Sequence, residues 1–253
     1  MQSNTIKQAL HLVQENIQKA IQQSQKVKNV QLVAVSKTKP VEALQEAYNC
    51  GIRHFGENYV DEIIEKAPKL PQDINWHFIG HLQSNKVSKV IVPNLYIIET
   101  IDSVKLANKV NSHLKSLERN LKVFVQIKTS DEDSKYGVTE EESYPLIEHI
   151  LENCEQLKFS GLMTIGKSGD LSAFDQLYNH RENVCKKFNL KIEDVQLSMG
   201  MSSDYQEAIL AGSNNVRIGS TIFGARDYSQ NNKQTENQEQ NLNQKSQKEE
   251  QKN

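Results

Sequence analysis

The 253-residue chain sets 30 Lys and Arg against 32 Asp and Glu, a formal net charge of −2 with histidines neutral. That balance gives no reason to expect nucleic acid or an anionic membrane as partner, and no apolar run approaches the length of a membrane span. Cys50, Cys154 and Cys185 lie far apart with no CxxC pair, which argues against a disulfide framework and a zinc site, so a reduced, cytoplasmic protein with no metal is expected.

The first predicted element is an amphipathic helix over residues 5–25, with Ile6, Leu10, Leu12, Val13, Ile17, Ala20 and Ile21 on one face. Residues 32–35 form a short apolar run rich in β-branched side chains, the pattern of a strand buried on both faces. Pro40 suits a first helical turn, and Val41, Leu44, Ala47 and Tyr48 follow at helical spacing. The alternation then repeats. A strand at 52–55 runs into Gly56-Glu57-Asn58 and a helix stopped by Pro68, and a strand at 74–79 runs into a polar turn at 80–86. Strands at 95–99, 122–128 and 157–163 precede helices near 103–117, 139–153 and 171–187. A seventh strand at 194–198 leads to a helix opening at Asp204, with Glu207 at capping-box spacing, and an eighth strand spans 215–218.

Eight β units alternating with helices predict an α/β fold, a single (β/α)8 TIM barrel, over residues 1–228 with an extra N-terminal helix. A doubly wound sheet would want a glycine-rich turn after its first strand, and none is present. Residues 229–253 hold one apolar side chain, Leu242, among Gln, Asn, Lys and Glu, which predicts a disordered, solvated tail.

Barrel chemistry gathers at the C-terminal strand ends, and these ends are polar throughout. Lys37 follows the first strand with the parity of Val35, where a half-buried lysine becomes an amine nucleophile toward carbonyls. Lys39, beside Pro40 in the helix start, is expected in solvent. After strands seven and eight, Gly200, Ser202, Gly219, Ser220 and Thr221 supply close backbone approach and hydroxyls suited to a phosphate. Asp204 would repel that phosphate, so the anion is expected on the Ser202 side and on Gly219 and Ser220. Arg217 lies in an apolar run, and either a carboxylate inside the barrel pairs it or it faces a ligand.

The runs VAVSKTKP, FGENYV, WHFIGHLQSNK, SKYG at 134–137, GLM at 161–163, SMGMSSD and VRIGSTIFGARDY resemble the YggS/PROSC family of pyridoxal phosphate homeostasis proteins. The likeness covers residues 5–228, in order, at seven strand ends. It implies a barrel similar to the alanine racemase N-terminal domain, with pyridoxal 5'-phosphate held as a covalent aldimine on Lys37. It further implies phosphate contacts from Ser202, Gly219 and Ser220, Arg217 near the cofactor, and Asn58, His81 and Met163 lining the pocket. Lys135 matches a second lysine near the family's site. The implied role is to carry and buffer pyridoxal phosphate, maintaining vitamin B6 and amino-acid and keto-acid pools. The chain is expected to be a monomer that supplies pyridoxal phosphate-dependent apoenzymes without catalytic turnover. A racemase would need a second acid or base opposite the lysine, brought by another domain, and none is expected here. Two alternatives stay open: a racemase-like pyridoxal enzyme, and a sugar-phosphate barrel enzyme with Lys37 as an aldolase lysine.

Overall fold

Helix α1 (Ile6–Gln23) opens with a capping box in which Thr5 and Gln8 satisfy each other's backbone amides. The computed structural model of the protein describes residues 5–129, 136–167 and 169–225. The expectations for Lys135 and for the tail at 229–253 lie outside those residues.

Beyond α1 the order is β1 (Gln31–Val35), α2 (Val41–Asn49), β2 (His54–Glu57), α3 (Val60–Lys66), β3 (Asn75–Phe78) and α4 (Val87–Val90). Next come β4 (Leu95–Ile101), α5 (Val104–Ser116), β5 (Leu121–Gln126), α6 (Glu140–Asn153), β6 (Leu157–Met163) and α7 (Ser172–Phe188). The last elements are β7 (Gln196–Ser198), α8 (Tyr205–Ala211), β8 (Asn215–Ile218) and α9 (Ser220–Phe223). The strands form a closed parallel barrel in sequence order, sealed where β8 runs beside β1 with Val33 opposite Arg217. The expected barrel is the observed one.

Several strand boundaries differ from the expectation by one or more residues, three of them with a visible local feature. β2 begins at His54 rather than residue 52, because the Ile52 amide is taken by the Ala47 carbonyl as the chain turns through Gly51. β7 is shorter than 194–198, since Ile192–Asp194 coil into a 3-10 turn. β4 runs on to Ile101, with a register irregularity between Ile98 and Ile101 that spans Glu99.

Side-chain alternation sorts the strands into two environments. Outward residues such as Ala34, Phe55, Trp76, Phe78, Ile98, Val123 and Leu162 join the large apolar core beneath the helices. Ile97, Phe124 and Met163, with Tyr96 against them, form a small separate cluster within the barrel. Beside it lies a largely polar interior, with His77, Glu99, Ser198, Asn215 and Arg217 all shielded from solvent. Buried charge of this kind needs partners, and its arrangement is the main clue to function.

Candidate functional site at the C-terminal strand ends

The turn after β1 is pinned from behind on both sides of Lys37. The Lys66 ammonium, buried at the end of α3, donates to the Ser36 carbonyl at 2.8 Å. Glu62 accepts the Thr38 amide at 2.8 Å, and Thr38 sits at a φ of 62°, a left-handed conformation that L side chains rarely take. Lys66 also reaches Glu57 at 2.8 Å and Glu62 at 2.5 Å, while the Ser36 hydroxyl donates to Glu57 at 2.7 Å. Two carboxylates, one ammonium and one hydroxyl thus clamp the peptide groups that flank Lys37. Lys37 itself is half-buried, and so is Lys39, which sequence reasoning placed in solvent. Burial pushes the Glu57 carboxyl up to about 7, with Lys66 opposing and Glu62 reinforcing the shift. The geometry agrees: both hydrogen bonds fall on Oε1, and Oε2 is buried without a hydrogen-bond partner among the described residues.

Across the rim, the loops after β2 and β3 touch at backbone level. A Cβ at Gly80 would lie 1.9 Å from the Asn58 carbonyl oxygen, so only glycine lets the two loops meet. Asn58 is half-buried, its Oδ1 shielded from solvent and without a hydrogen-bond partner among the described residues. His81 stacks on Tyr136, ring centroids 3.7 Å apart, and its Nδ1 lies 3.4 Å from Asp102. Gly80→Ala should therefore cost on the order of 3 kcal/mol, read as a melting temperature roughly 6–12 °C lower.

The loops after β7 and β8 come together as the sequence predicted. The Ser202 hydroxyl accepts from the Gly219 amide at 3.2 Å and from the Thr221 amide at 3.4 Å. Gly219 also rests against β1, where an added Cβ would be 3.2 Å from the Val35 carbonyl. Gly200 has a φ of +92°, and a side chain there would strike Ala208 at 2.5 Å. Ser220 is exposed at the start of α9. The capping role expected of Asp204 is a correction: its carboxylate makes no cap contact to α8. It turns back instead to the Met201 amide at 2.7 Å and the Ser203 hydroxyl at 3.1 Å. The loop's own donors sit nearer than the helix amides, which is why spacing alone misled.

Among the described residues Arg217 makes no direct ion pair with a carboxylate inside the barrel. Only 4% exposed, it donates to the Ser198 hydroxyl at 2.6 Å and the Thr164 carbonyl at 2.7 Å. Ser198 in turn donates to Glu99 at 2.5 Å. Burial pulls the Arg217 pKa down, and the charges of Glu99 and Asp204 oppose that. Met163 is fully buried at the end of β6. Lys37, Ser202, Gly219, Ser220 and Arg217 thus gather where β7, β8 and β1 adjoin, with Asn58 and His81 after β2 and β3. Sequence reasoning missed Glu99, Ser198, Glu57, Glu62 and Lys66. Glu99 had a visible signal, a lone carboxylate in an apolar strand, matching the lone arginine in β8. Among the described residues no cluster of His, Cys, Asp or Glu is arranged to hold a metal.

Comparison with known proteins places this geometry among relatives. The family description "Alanine racemase, N-terminal domain" matches residues 9–227. A pyridoxal phosphate homeostasis protein of Homo sapiens is 52% identical over 238 residues, covering 87% of this chain and 86% of the relative. One of Schizosaccharomyces pombe is 46% identical over 224 residues, covering 86% and 93%. The structure of PipY from Synechococcus elongatus with pyridoxal phosphate bound is 32% identical, with a TM-score of 0.74 over 87% of this chain and 100% of that one. An alanine racemase of Clostridium difficile is 18% identical with a TM-score of 0.68, a likeness of fold that covers 86% of this chain and 56% of the racemase.

Proposed function

The chain belongs to the family of pyridoxal phosphate homeostasis proteins, and on that premise we propose that it holds and releases pyridoxal 5'-phosphate at Lys37 without enzymatic turnover. The observation that carries this reading is the meeting of Ser202 with the Gly219 and Thr221 amides, packed against the β1 end that leads to Lys37. Both amides are turned toward the Ser202 oxygen, and with the Ser202 and Ser220 hydroxyls they would form a donor set suited to a phosphate, while the Lys37 amine is the group an aldehyde requires. The residues present fit the cofactor, and the unpartnered Oδ1 of Asn58 marks a further polar group at the same rim.

Each residue has a part. Lys37 anchors the carbonyl carbon, and the Lys66–Glu57–Glu62 clamp fixes where its backbone stands. Ser202, Gly219 and Ser220 hold the phosphate, while Asn58, His81 and Met163 bound the ring. Bound pyridoxal phosphate would supply an electron sink for amino-acid substrates, a stronger one when its ring nitrogen takes a proton. Arg217, a cation, would oppose that protonation and so favour storage over chemistry. Among the described residues no helix is long and apolar enough to cross a membrane. The carrier reading has a cytoplasmic monomer pass the cofactor to apoenzymes that use it.

The test is ligand selectivity. A lost charge-assisted donor costs roughly 1.5–3 kcal/mol, about tenfold or more in affinity. Ser202→Ala should weaken pyridoxal phosphate by that factor and leave unphosphorylated pyridoxal nearly unchanged in equilibrium titrations. Equal losses for both ligands would move the phosphate site elsewhere.

A further inference from the structure

Through the barrel interior runs a hydrogen-bonded chain that neither the Lys37 clamp nor the phosphate cradle uses. His54 Nδ1 lies 2.8 Å from His77 Nε2, and His77 Nδ1 lies 2.5 Å from Glu99. Asn215 donates to the same Glu99 oxygen at 3.1 Å, and Ser198 donates to the other at 2.5 Å. Arg217 then donates to Ser198 at 2.6 Å.

The directions of these bonds are set by chemistry. An ionised carboxylate only accepts, so His77, Asn215 and Ser198 all donate hydrogen bonds to Glu99. Ser198 has one proton, so its lone pair is what receives the Arg217 guanidinium. Glu99 is wholly buried, and it is the carboxylate one hydroxyl away from a buried arginine. Burial works to raise the Glu99 pKa, but the His77 hydrogen bond, the His77 and Arg217 charges and the Ser198 hydrogen bond bring it below the ordinary carboxylate value. Burial, then the charges of His77 and Lys122, lower the pKa of His54 to about 4 and keep it neutral. Asp204 is the second negative charge that bears on Arg217, but its carboxylate is tied to its own loop. A buried charged chain often gives no more stability than apolar packing of the same volume, so stability alone does not account for it.

We propose that Glu99, acting through Ser198, is the positioning residue that fixes the Arg217 guanidinium toward the cofactor ring, an inference that rests on the cofactor reading above. The countercharge should be visible in the spectrum of the lysine-linked cofactor. Removing one negative charge from inside the barrel makes the protonated link less favourable. In Glu99→Gln the visible band of that protonated link should therefore disappear at lower pH than in wild type. The expected shift is on the order of one pH unit, the size for a unit charge lost at roughly 10 Å in an effective dielectric of about 20. Glu99→Asp, which keeps the charge, should stay within a few tenths of a unit of wild type, an outcome that a merely structural role would not predict.

The experiment is a pH titration of the visible band in the pyridoxal phosphate-loaded full chain, for wild type, Glu99→Gln and Glu99→Asp. A wild-type protein with no band dependent on Lys37 would sink the cofactor reading itself. A normal wild-type band with an unmoved midpoint in Glu99→Gln would overturn only the role of Glu99. If Glu99→Gln does not fold, Ser198→Ala decides, since it cuts the link and leaves both charges. Pyridoxal phosphate affinity about tenfold weaker supports the proposal, and unchanged affinity overturns it.

Discussion

Lys37→Ala will lose the borohydride-fixed pyridoxal phosphate adduct altogether, and Lys39→Ala will keep it. The two lysines are two residues apart and both half-buried, so burial does not choose between them. The backbone does. Lys37 stands between the two pinned peptide groups, with the Ser36 carbonyl on Lys66 and the Thr38 amide on Glu62. Lys39 is the last residue before Pro40, where the chain turns away into α2. Borohydride reduction followed by peptide mass spectrometry checks the assignment, and a wild-type adduct mapped to Lys39 would reverse it.

The next largest effect is expected at Lys66→Met. The ammonium is hydrogen-bonded to two carboxylates and a carbonyl, and removing it leaves Glu57 and Glu62 facing each other without compensation. Breaking a buried pair from one side costs about 3–5 kcal/mol, or roughly 6–20 °C in melting temperature at this size. Glu57→Gln tests the same cluster through pH. The Glu57 carboxyl is raised to about 7 in the folded chain, above its ordinary value of 4.5. The folded state therefore keeps a proton that the unfolded state has released between those values. The stability this contributes is present in full below about 4.5 and is lost as pH rises through about 7. Glu57→Gln should remove that decline, so its melting temperature should fall less between pH 5 and pH 8 than that of wild type. A parallel decline in both proteins would show that Glu57 does not carry it.

The barrel was legible because short, mostly apolar strand-like runs alternate with helical-period segments and end in polar turns. The grouping of Ser202 with Gly219 was legible for the same reason, since barrels bring the last two strand ends together. What stayed hidden were partnerships across long stretches of chain. Lys66 reads as the last polar residue of an amphipathic helix, and nothing nearby says that it reaches back 30 residues to Ser36. Glu99 stands out as a lone carboxylate in an apolar strand, but nothing local says that its partner is Ser198, 99 residues away. Local patterns mislead where two local partners compete. Ile52 has a strand's composition but is used to finish the turn after α2, and Asp204 has a cap's spacing but serves its own loop.

The most direct test of the central claim, a barrel that holds pyridoxal phosphate without turning over amino acids, is hydrogen exchange at Cα. A panel of L-amino acids would be incubated in heavy water with the loaded protein, with Lys37→Ala and with free pyridoxal phosphate. A second positioned acid or base contributes a hundredfold to ten-thousandfold in general acid–base catalysis, at roughly those orders of magnitude. The account predicts deuterium incorporation close to that of the free cofactor for every amino acid tested. Exchange many thousand-fold faster than the free cofactor, and lost in Lys37→Ala, would make the protein an enzyme and contradict the account.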